Sequence, residues 1–465
     1  MSINENKVEI IPVGNALRAI VFMGLGLVSI ITGFVLTPLL SGIWEGLGLQ
    51  QSASQLLDIN TFALVGEANI GAPFVNAGIM LIVVMLSYLL TKTTINGGTI
   101  AAAFMVFGFS FAGKTLWNVW PLFFGVIIHA LINKKPVNTV TGLAWFSSAL
   151  SPLVSVFTLY IRPSEETNAT IGEKAVFSTL GLVLGVVVGL IAGYLVATFA
   201  GFLAEKHTGL TLYNAGFAAG LAGFLIFAVM KVIGLGHTGP GPWHEFPNIA
   251  NGRLAAGIAV CLVYLLITGL LISVKERGYI DKIVAGKYAG SAVEQFGFGA
   301  TLVNMAVCGF MCLLYWKLTV TANAHGVFFA CLFTVVGFAA NGISVRTMAP
   351  IMAGVYVTSV VLGGINAAIA GTSIIESAFN YVGSKNMLIA AIFGCGMAPV
   401  VYKHGAKIGF FAGMIHSVLV PNTGGLHGWM NLYNNGFCIG LVVTFFVPML
   451  LALAATFGKK QKEEN

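Results

Sequence analysis

HTGLTLYNAGFAAG (207–220) and HGWMNLYNNGFCIG (427–440) are two copies of one stretch. His207, Tyr213, Asn214, Gly216 and Gly220 answer His427, Tyr433, Asn434, Gly436 and Gly440. Asparagine competes for backbone hydrogen bonds inside a helix, and a glycine two positions later loosens it further. Leu-Tyr-Asn-x-Gly-Phe therefore reads as a helix break. At a break, freed backbone groups and the Asn amide can hold an ion or a polar solute. The plainer reading is that Tyr and Asn bond between helices and the glycines let those helices touch.

Both copies lie in apolar surroundings. The chain has 465 residues, 57% hydrophobic and only 8% charged, with a mean hydropathy of +0.91. A soluble domain carries roughly 25% charged residues. Hydrophobic runs recur at 17–40, 72–90, 95–113, 115–133, 137–160, 174–204 and 208–232. They recur again at 253–274, 298–316, 322–342, 346–369, 386–402, 404–420 and 429–456. The expected fold is all-α: a polytopic membrane protein of about 14 segments in two inverted repeats of about seven. The domain reading is an N-terminal tail (1–16), repeat 1 (17–232), a linker (233–252), repeat 2 (253–456) and a C-terminal tail (457–465). Residues 1–16 lack the apolar core of a cleavable signal.

Alternating the loops from an internal N-terminus places 16 of the 23 Lys and Arg residues inside and 7 outside. That bias favours both termini in the cytoplasm, and it accounts for the net charge of +7 without nucleic acid. The duplication extends beyond the opening motif. GGTIAAAFMVFGFSFAG (97–113) matches GVFFACLFTVVGFAANG (326–342) at an offset of 229. Val75-Asn76 resembles Val303-Asn304, and Pro152 resembles Pro399. Seven segments per half is odd, so the second copy enters the membrane from the opposite side, as in many secondary transporters. Glycines 181, 185, 189 and 193, and again 405, 409 and 413, recur every four residues and mark close helix packing.

Few residues offer chemistry. Tyr213, Asn214, Gly216, Tyr433, Asn434 and Gly436 are the candidate solute-binding set, at the paired breaks. Pro152 and Pro399 each remove a helical hydrogen bond and free a carbonyl, which suggests broken helices. Lys114 and Arg346 follow the repeated Gly113 and Gly342 and would place one cation near each mouth, suiting an anionic solute. His207 and His427 are candidates for a proton relay. His129, His325, His404 and His416 have no partner at a telling spacing. His237, His244 and Glu245 lack the HExxH pattern of a metal site, and Glu67, Glu294 and Glu376 flank apolar segments where a coupling cation would bind. The six cysteines fit neither a disulfide framework nor a metal site. No P-loop, GxSxG or Rossmann pattern is present, so no cofactor, metal or catalytic residue is expected.

The two-copy architecture with Tyr-Asn-x-Gly-Phe-x-x-Gly resembles an uncharacterised bacterial integral-membrane family, a domain of unknown function with an internal duplication. That resemblance covers most of the chain and implies a bacterial inner-membrane setting, but no activity. Tyr213-Asn214-x-Gly216 and Tyr433-Asn434-x-Gly436 are also similar to the Tyr-Asn-Gly stretches of urea transporters, which have inverted halves; here one residue separates Asn from Gly. The expected function is transport of a small polar or anionic solute or ion by alternating access, in the bilayer, with a homo-oligomer left open. A urea- or ammonia-like channel is one alternative, and a polytopic membrane enzyme or assembly protein another.

Overall fold

The computed structural model describes residues 13–52, 61–160, 177–206, 209–235, 248–275, 280, 282–283, 286, 288–319 and 326–463. The first half contains α1 (Asn15–Leu36), α2 (Ala72–Leu90), α3 (Gly97–Phe109), α4 (Trp120–Ile132), α5 (Val137–Ser147), α6 (Ser151–Tyr160), α7 (Thr179–Lys206) and α8 (Asn214–Val232). The second contains α9 (Asn248–Ile272), α10 (Phe298–Thr319), α11 (Gly326–Phe338), α12 (Val345–Ala370), α13 (Ile374–Val382), α14 (Lys385–Phe393), α15 (Ala398–His404), α16 (Ala406–Leu419), α17 (Asn434–Leu441) and α18 (Val447–Glu463). α9 begins inside the expected 233–252 linker, and α18 runs past residue 456.

Among the described residues, ten helical stretches are long and apolar enough to cross a membrane. Large apolar side chains face outward along α1 (Leu17, Ile20, Leu27, Ile31) and α7 (Leu180, Val183, Val187, Ile191). Such a belt suits hydrocarbon rather than water. The architecture is that of a multi-pass membrane protein.

Several of the fourteen sequence segments are shorter as helices than they read. α3, α4 and α11 have 13 residues and α16 has 14. Thirteen residues span about 20 Å, less than the roughly 30 Å hydrocarbon core. α3 starts at a capping box, in which Asn96 Oδ1 accepts from the Thr99 N–H at 3.1 Å. It stops because Gly113 takes φ +120°, and the equivalent Gly342 takes φ +122°, a region that favours glycine. The Thr93 hydroxyl meets the Asn138 carbonyl at 3.3 Å. The excursion through α3 and α4 thus leaves and returns at one end of the bundle.

Freed carbonyls after α3 and α11 are held by the same residue in each half. Asn76 Nδ2 donates to Ser110 O and Lys114 O (2.9 and 3.0 Å). Asn304 Nδ2 donates to Ala339 O and Ile343 O (2.9 and 2.8 Å). The 229-residue offset maps one pair of carbonyls onto the other. The Val-Asn resemblance noted in the sequence is this staple.

Contacts between the halves are reciprocal. Gly97 lies against Ala340 and Gly326 against Phe111; Gly108 lies against Ala330 and Phe333, and Gly337 against Ala101 and Phe104. Numbers fall along α11 as they rise along α3, so these equivalent helices pack antiparallel. α8 and α17 cross at their first turns, where a Cβ on Gly216 would lie 3.0 Å from Gly436 Cα. Within each half, α1 packs on α2 as α9 does on α10, and α4 on α7 as α12 does on α16. α13 has no counterpart in the first half.

One sequence expectation needs correction in detail. The Tyr-Asn-x-Gly motif does not interrupt a helix: α8 and α17 begin at Asn214 and Asn434, and the irregular backbone precedes each Tyr. Pro152 and Pro399 are likewise not mid-helix kinks. Each sits in the first turn of a new helix, α6 or α15, after a short 3-10 turn (Ser148–Leu150 or Gly394–Met397), where a missing N–H costs little. The chain is therefore broken at both prolines, as their sequence context suggested.

Candidate functional site

The breaks of the two halves are built from each other. Ala149 and Gly396 stand three residues before Pro152 and Pro399, where proline cannot donate. Leu432 N–H donates to Ala149 O at 2.9 Å, and Leu212 N–H donates to Gly396 O at 3.0 Å. The carbonyls freed by proline are therefore taken by the extended segment leading into the other half's Tyr-Asn motif. They are not left for a solute, contrary to the sequence reading.

The motif asparagines also serve the backbone. Asn214 Nδ2 donates to Ala200 O at 2.8 Å, and Asn434 Nδ2 donates to the equivalent Val420 O at 3.3 Å. Asn434 does more, since its Oδ1 lies 2.7 Å from Thr423 Oγ1 and 3.1 Å from His427 Nε2. His427 is thus a buried hydrogen-bonding histidine. His416, which had no telling spacing, pairs with Asn435 at 3.1 Å.

Tyr213 and Tyr433 occupy equivalent places with unequal partners. Each ring packs on the phenylalanine ending the facing short helix: Phe338 at 4.7 Å and Phe109 at 5.0 Å between centroids. The Tyr433 hydroxyl accepts a hydrogen bond from Lys114 Nζ. The repeat puts Ile343 in the place of that lysine, and the buried Tyr213 hydroxyl has no partner among the described residues. Lys114 is fully buried, with its ammonium 4.6 Å from the Tyr433 ring centre and 5.9 Å from that of Phe109. It is therefore not the mouth cation the sequence suggested. Arg18 pairs with Glu294 at 3.9 Å, and among the described residues no carboxylate pairs with Lys114.

Two cavities flank these tyrosines. The larger, about 320 Å³, is lined by Asn96, Gly98, Thr99, Asn138, Gly142, Leu212, Asn214, Gly216, Phe393 and both tyrosines, among others. That volume falls in the range of small-molecule sites, about 300–1,000 Å³. The smaller, about 30 Å³, is lined by Val327, Lys385, Ile389, Phe393, Trp429, Leu432 and Asn434, among others. It holds roughly one water. The two are counterparts: the repeat carries Gly98, Asn138, Gly142, Leu212 and Asn214 onto Val327, Lys385, Ile389, Leu432 and Asn434. Phe393 belongs to both. The smaller is filled where the second copy has larger side chains, above all at Trp429, which stands where the first copy has Gly209. Gly209 takes φ +66° and Trp429 φ +61°. A bulky residue held there stores strain of about 1–3 kcal/mol.

Of the expected site residues, the larger cavity brings together Tyr213, Asn214, Gly216 and Tyr433, and the smaller takes Asn434. Gly436 touches Gly216, and Pro152 and Pro399 act only through the carbonyls before them. Arg346 is exposed in the first turn of α12. Glu67 and Glu376 are exposed as well. His207, His237, His244, Glu245 and His325 lie outside the described residues. Asn76, Asn304, Trp429 and Phe393 were not singled out as site residues. The mismatch of Gly209 with Trp429 between the copies was the readable signal for one of them.

Fold and site together define a duplicated, multi-pass helical membrane protein with a cavity at the junction of its halves. The chain belongs to the family described as "Protein of unknown function (DUF1576)", whose model matches residues 53–232 and 285–452. No curated protein and no solved structure matches it.

Proposed function

We propose that the chain is a carrier for a small polar or anionic solute, working by alternating access between two inverted halves. The observation that carries this reading is the pair of counterpart cavities, one open and one filled. Midway sites between broken helices of inverted repeats are the usual layout of secondary transporters. In a carrier the two approaches to the site are never open together, and here Phe393 stands between them while Trp429 fills the second.

The antiparallel packing of α3 and α11 supports inversion. With helices along the membrane normal, an axis relating antiparallel partners lies in the membrane plane. Reading α3 and α4 as one re-entrant excursion leaves the loop assignments unchanged, except that Lys114 leaves the external count. The inside bias then becomes 16 against 6 and still favours cytoplasmic termini in a bacterial inner membrane. On that orientation the larger cavity opens to the cytoplasm, near Lys92, Lys134 and Lys135.

A carrier is favoured over a urea- or ammonia-like channel because the two cavities are separate and Phe393 lines both. It is favoured over an enzyme because the larger cavity is lined by no Asp, Glu, His, Cys or Lys. The test is uptake by proteoliposomes from a panel of labelled small metabolites, with and without unlabelled solute inside. Uptake that saturates and is accelerated by internal solute supports a carrier. Flux that is linear in concentration and indifferent to internal solute sinks it.

A further inference from the structure

The larger cavity has a polarity of its own. Gly98 and Thr99 lie in the first turn of α3, Asn138 and Thr139 in that of α5, and Asn214 and Gly216 in that of α8. Three helices of 13, 11 and 19 residues thus begin at its wall. The Thr99, Thr139 and Gly216 N–H groups are already held by Asn96 Oδ1, Pro136 O and Tyr213 O, but the aligned peptide dipoles still place partial positive charge at these helix starts. Across the axis α17 begins against the start of α8, which adds a fourth N-terminus near the same point.

Lys114 supplies the second observation. Its ammonium is fully buried and reaches the cavity through Tyr433, to which it donates. A charge placed so deep is costly unless paired, and intramembrane ionisable residues mark solute pathways. Its repeat equivalent is Ile343, so the symmetric fold is complete without a lysine there. No acidic residue lines either cavity, and the smaller one adds Lys385. The larger cavity also has an apolar face of Met105, Leu143, Phe146, Phe338 and Phe393, beside the amides of Asn96 and Asn341.

We infer that the solute is a small organic anion with an apolar body. Its carboxylate is held at the convergent helix starts and neutralised by Lys114 acting through Tyr433, and its body lies on the phenylalanines. Tyr213 also lines the wall, with its hydroxyl buried and without a partner among the described residues. The inference rests on the carrier reading, yet it fails separately.

The experiment is thermal unfolding of the purified protein with straight-chain monocarboxylates from acetate to octanoate, each beside its primary amide and primary amine. A ligand that binds only the folded state raises the apparent melting temperature in a saturable way. Carboxylates are expected to do so and the matched amides and amines not. Lys114→Met should weaken carboxylate binding by about tenfold or more, a factor worth about 1.4 kcal/mol, and should still elute as a monodisperse species. Tyr213→Phe, which loses no protein hydrogen bond, should weaken it less and covers the case in which Lys114→Met does not fold. Equal stabilisation by amides or amines, or none by any carboxylate, overturns the anionic site. Carboxylate binding without accelerated exchange in proteoliposomes overturns the carrier and leaves the anion site standing. Accelerated exchange of a neutral or cationic solute does the reverse.

Discussion

Asn76→Ala and Asn304→Ala make the same chemical change at equivalent positions, yet they should differ in cost. Both side chains are fully buried, and the volume removed is the same, so the cavity contribution largely cancels in the comparison. The hydrogen bonds do not cancel. Ala339 O and Ile343 O both lie within reach of the Tyr288 hydroxyl, the latter at 3.0 Å, and its one hydrogen can be shared between them when Asn304 is truncated. Ser110 O likewise keeps Gln50 Nε2 at 2.8 Å. Lys114 O has Asn76 as its one donor among the described residues. Stranding a buried carbonyl costs about 1–3 kcal/mol. Asn76→Ala should therefore be the more destabilising of the two by about 1 kcal/mol, the low end of that range because the shared Tyr288 hydrogen replaces only part of what Asn304 gives, read as a lower apparent Tm or as greater sensitivity to denaturant. It should also impair solute binding more, because the stranded carbonyl belongs to the residue carrying the buried ammonium. Equal losses, or a larger loss at Asn304, would refute this account of how the loop after α3 is held.

The tyrosines should part company as well. Tyr433→Phe strips the Lys114 ammonium of its hydroxyl and should cost about 1–3 kcal/mol, whereas Tyr213→Phe removes an unpartnered hydroxyl and should be neutral or slightly stabilising; paired melting curves decide. Gly220→Ala and Gly440→Ala each drive a Cβ into the ring of Phe437 or Phe217, and each should cost about 1–3 kcal/mol by overpacking the crossing of α8 and α17. At Gly216 the nearest atom would be 3.0 Å away, so Gly216→Ala should be the milder change in the same assay. Trp429→Gly should release backbone strain and open the smaller cavity. Cys331, buried on its wall, should then react with a small thiol reagent, as peptide mass spectrometry would report. Unchanged protection of Cys331 would mean that Trp429 is not what fills that side.

The class of fold was legible because apolar runs and loop charges are local properties, and the duplication was legible because both copies keep their glycines and aromatics. Segment lengths were less so. Runs 95–113 and 115–133 look like ordinary spans, but the helices stop at Phe109 and resume at Trp120. Between them Asn118 bonds the Thr115 N–H at 2.9 Å and Gly113 O at 3.0 Å, a turn that apolar composition conceals. The candidate site was legible in its members and not in their partners. Lys114 and Tyr433 are 319 residues apart, and no local pattern announces such a pair. Freed carbonyls at the prolines were anticipated; that the opposite half would claim them depends on three-dimensional packing.

That exchange, Leu212 to Gly396 and Leu432 to Ala149, has a historical consequence. Neither half closes its own broken helix. An antiparallel second copy of one half would close both carbonyls, which is the arrangement that a homodimer fused into one polypeptide would preserve. In such a homodimer of identical subunits, a lysine at one position is a lysine at both, with two ammonium groups facing each other through one site. A single chain is free of that constraint: one copy carries Lys114 and the other Ile343, and one carries Gly209 where the other carries Trp429. The inherited symmetry maintains the scaffold, and the directionality of the protein resides in the few positions where its two halves have since diverged.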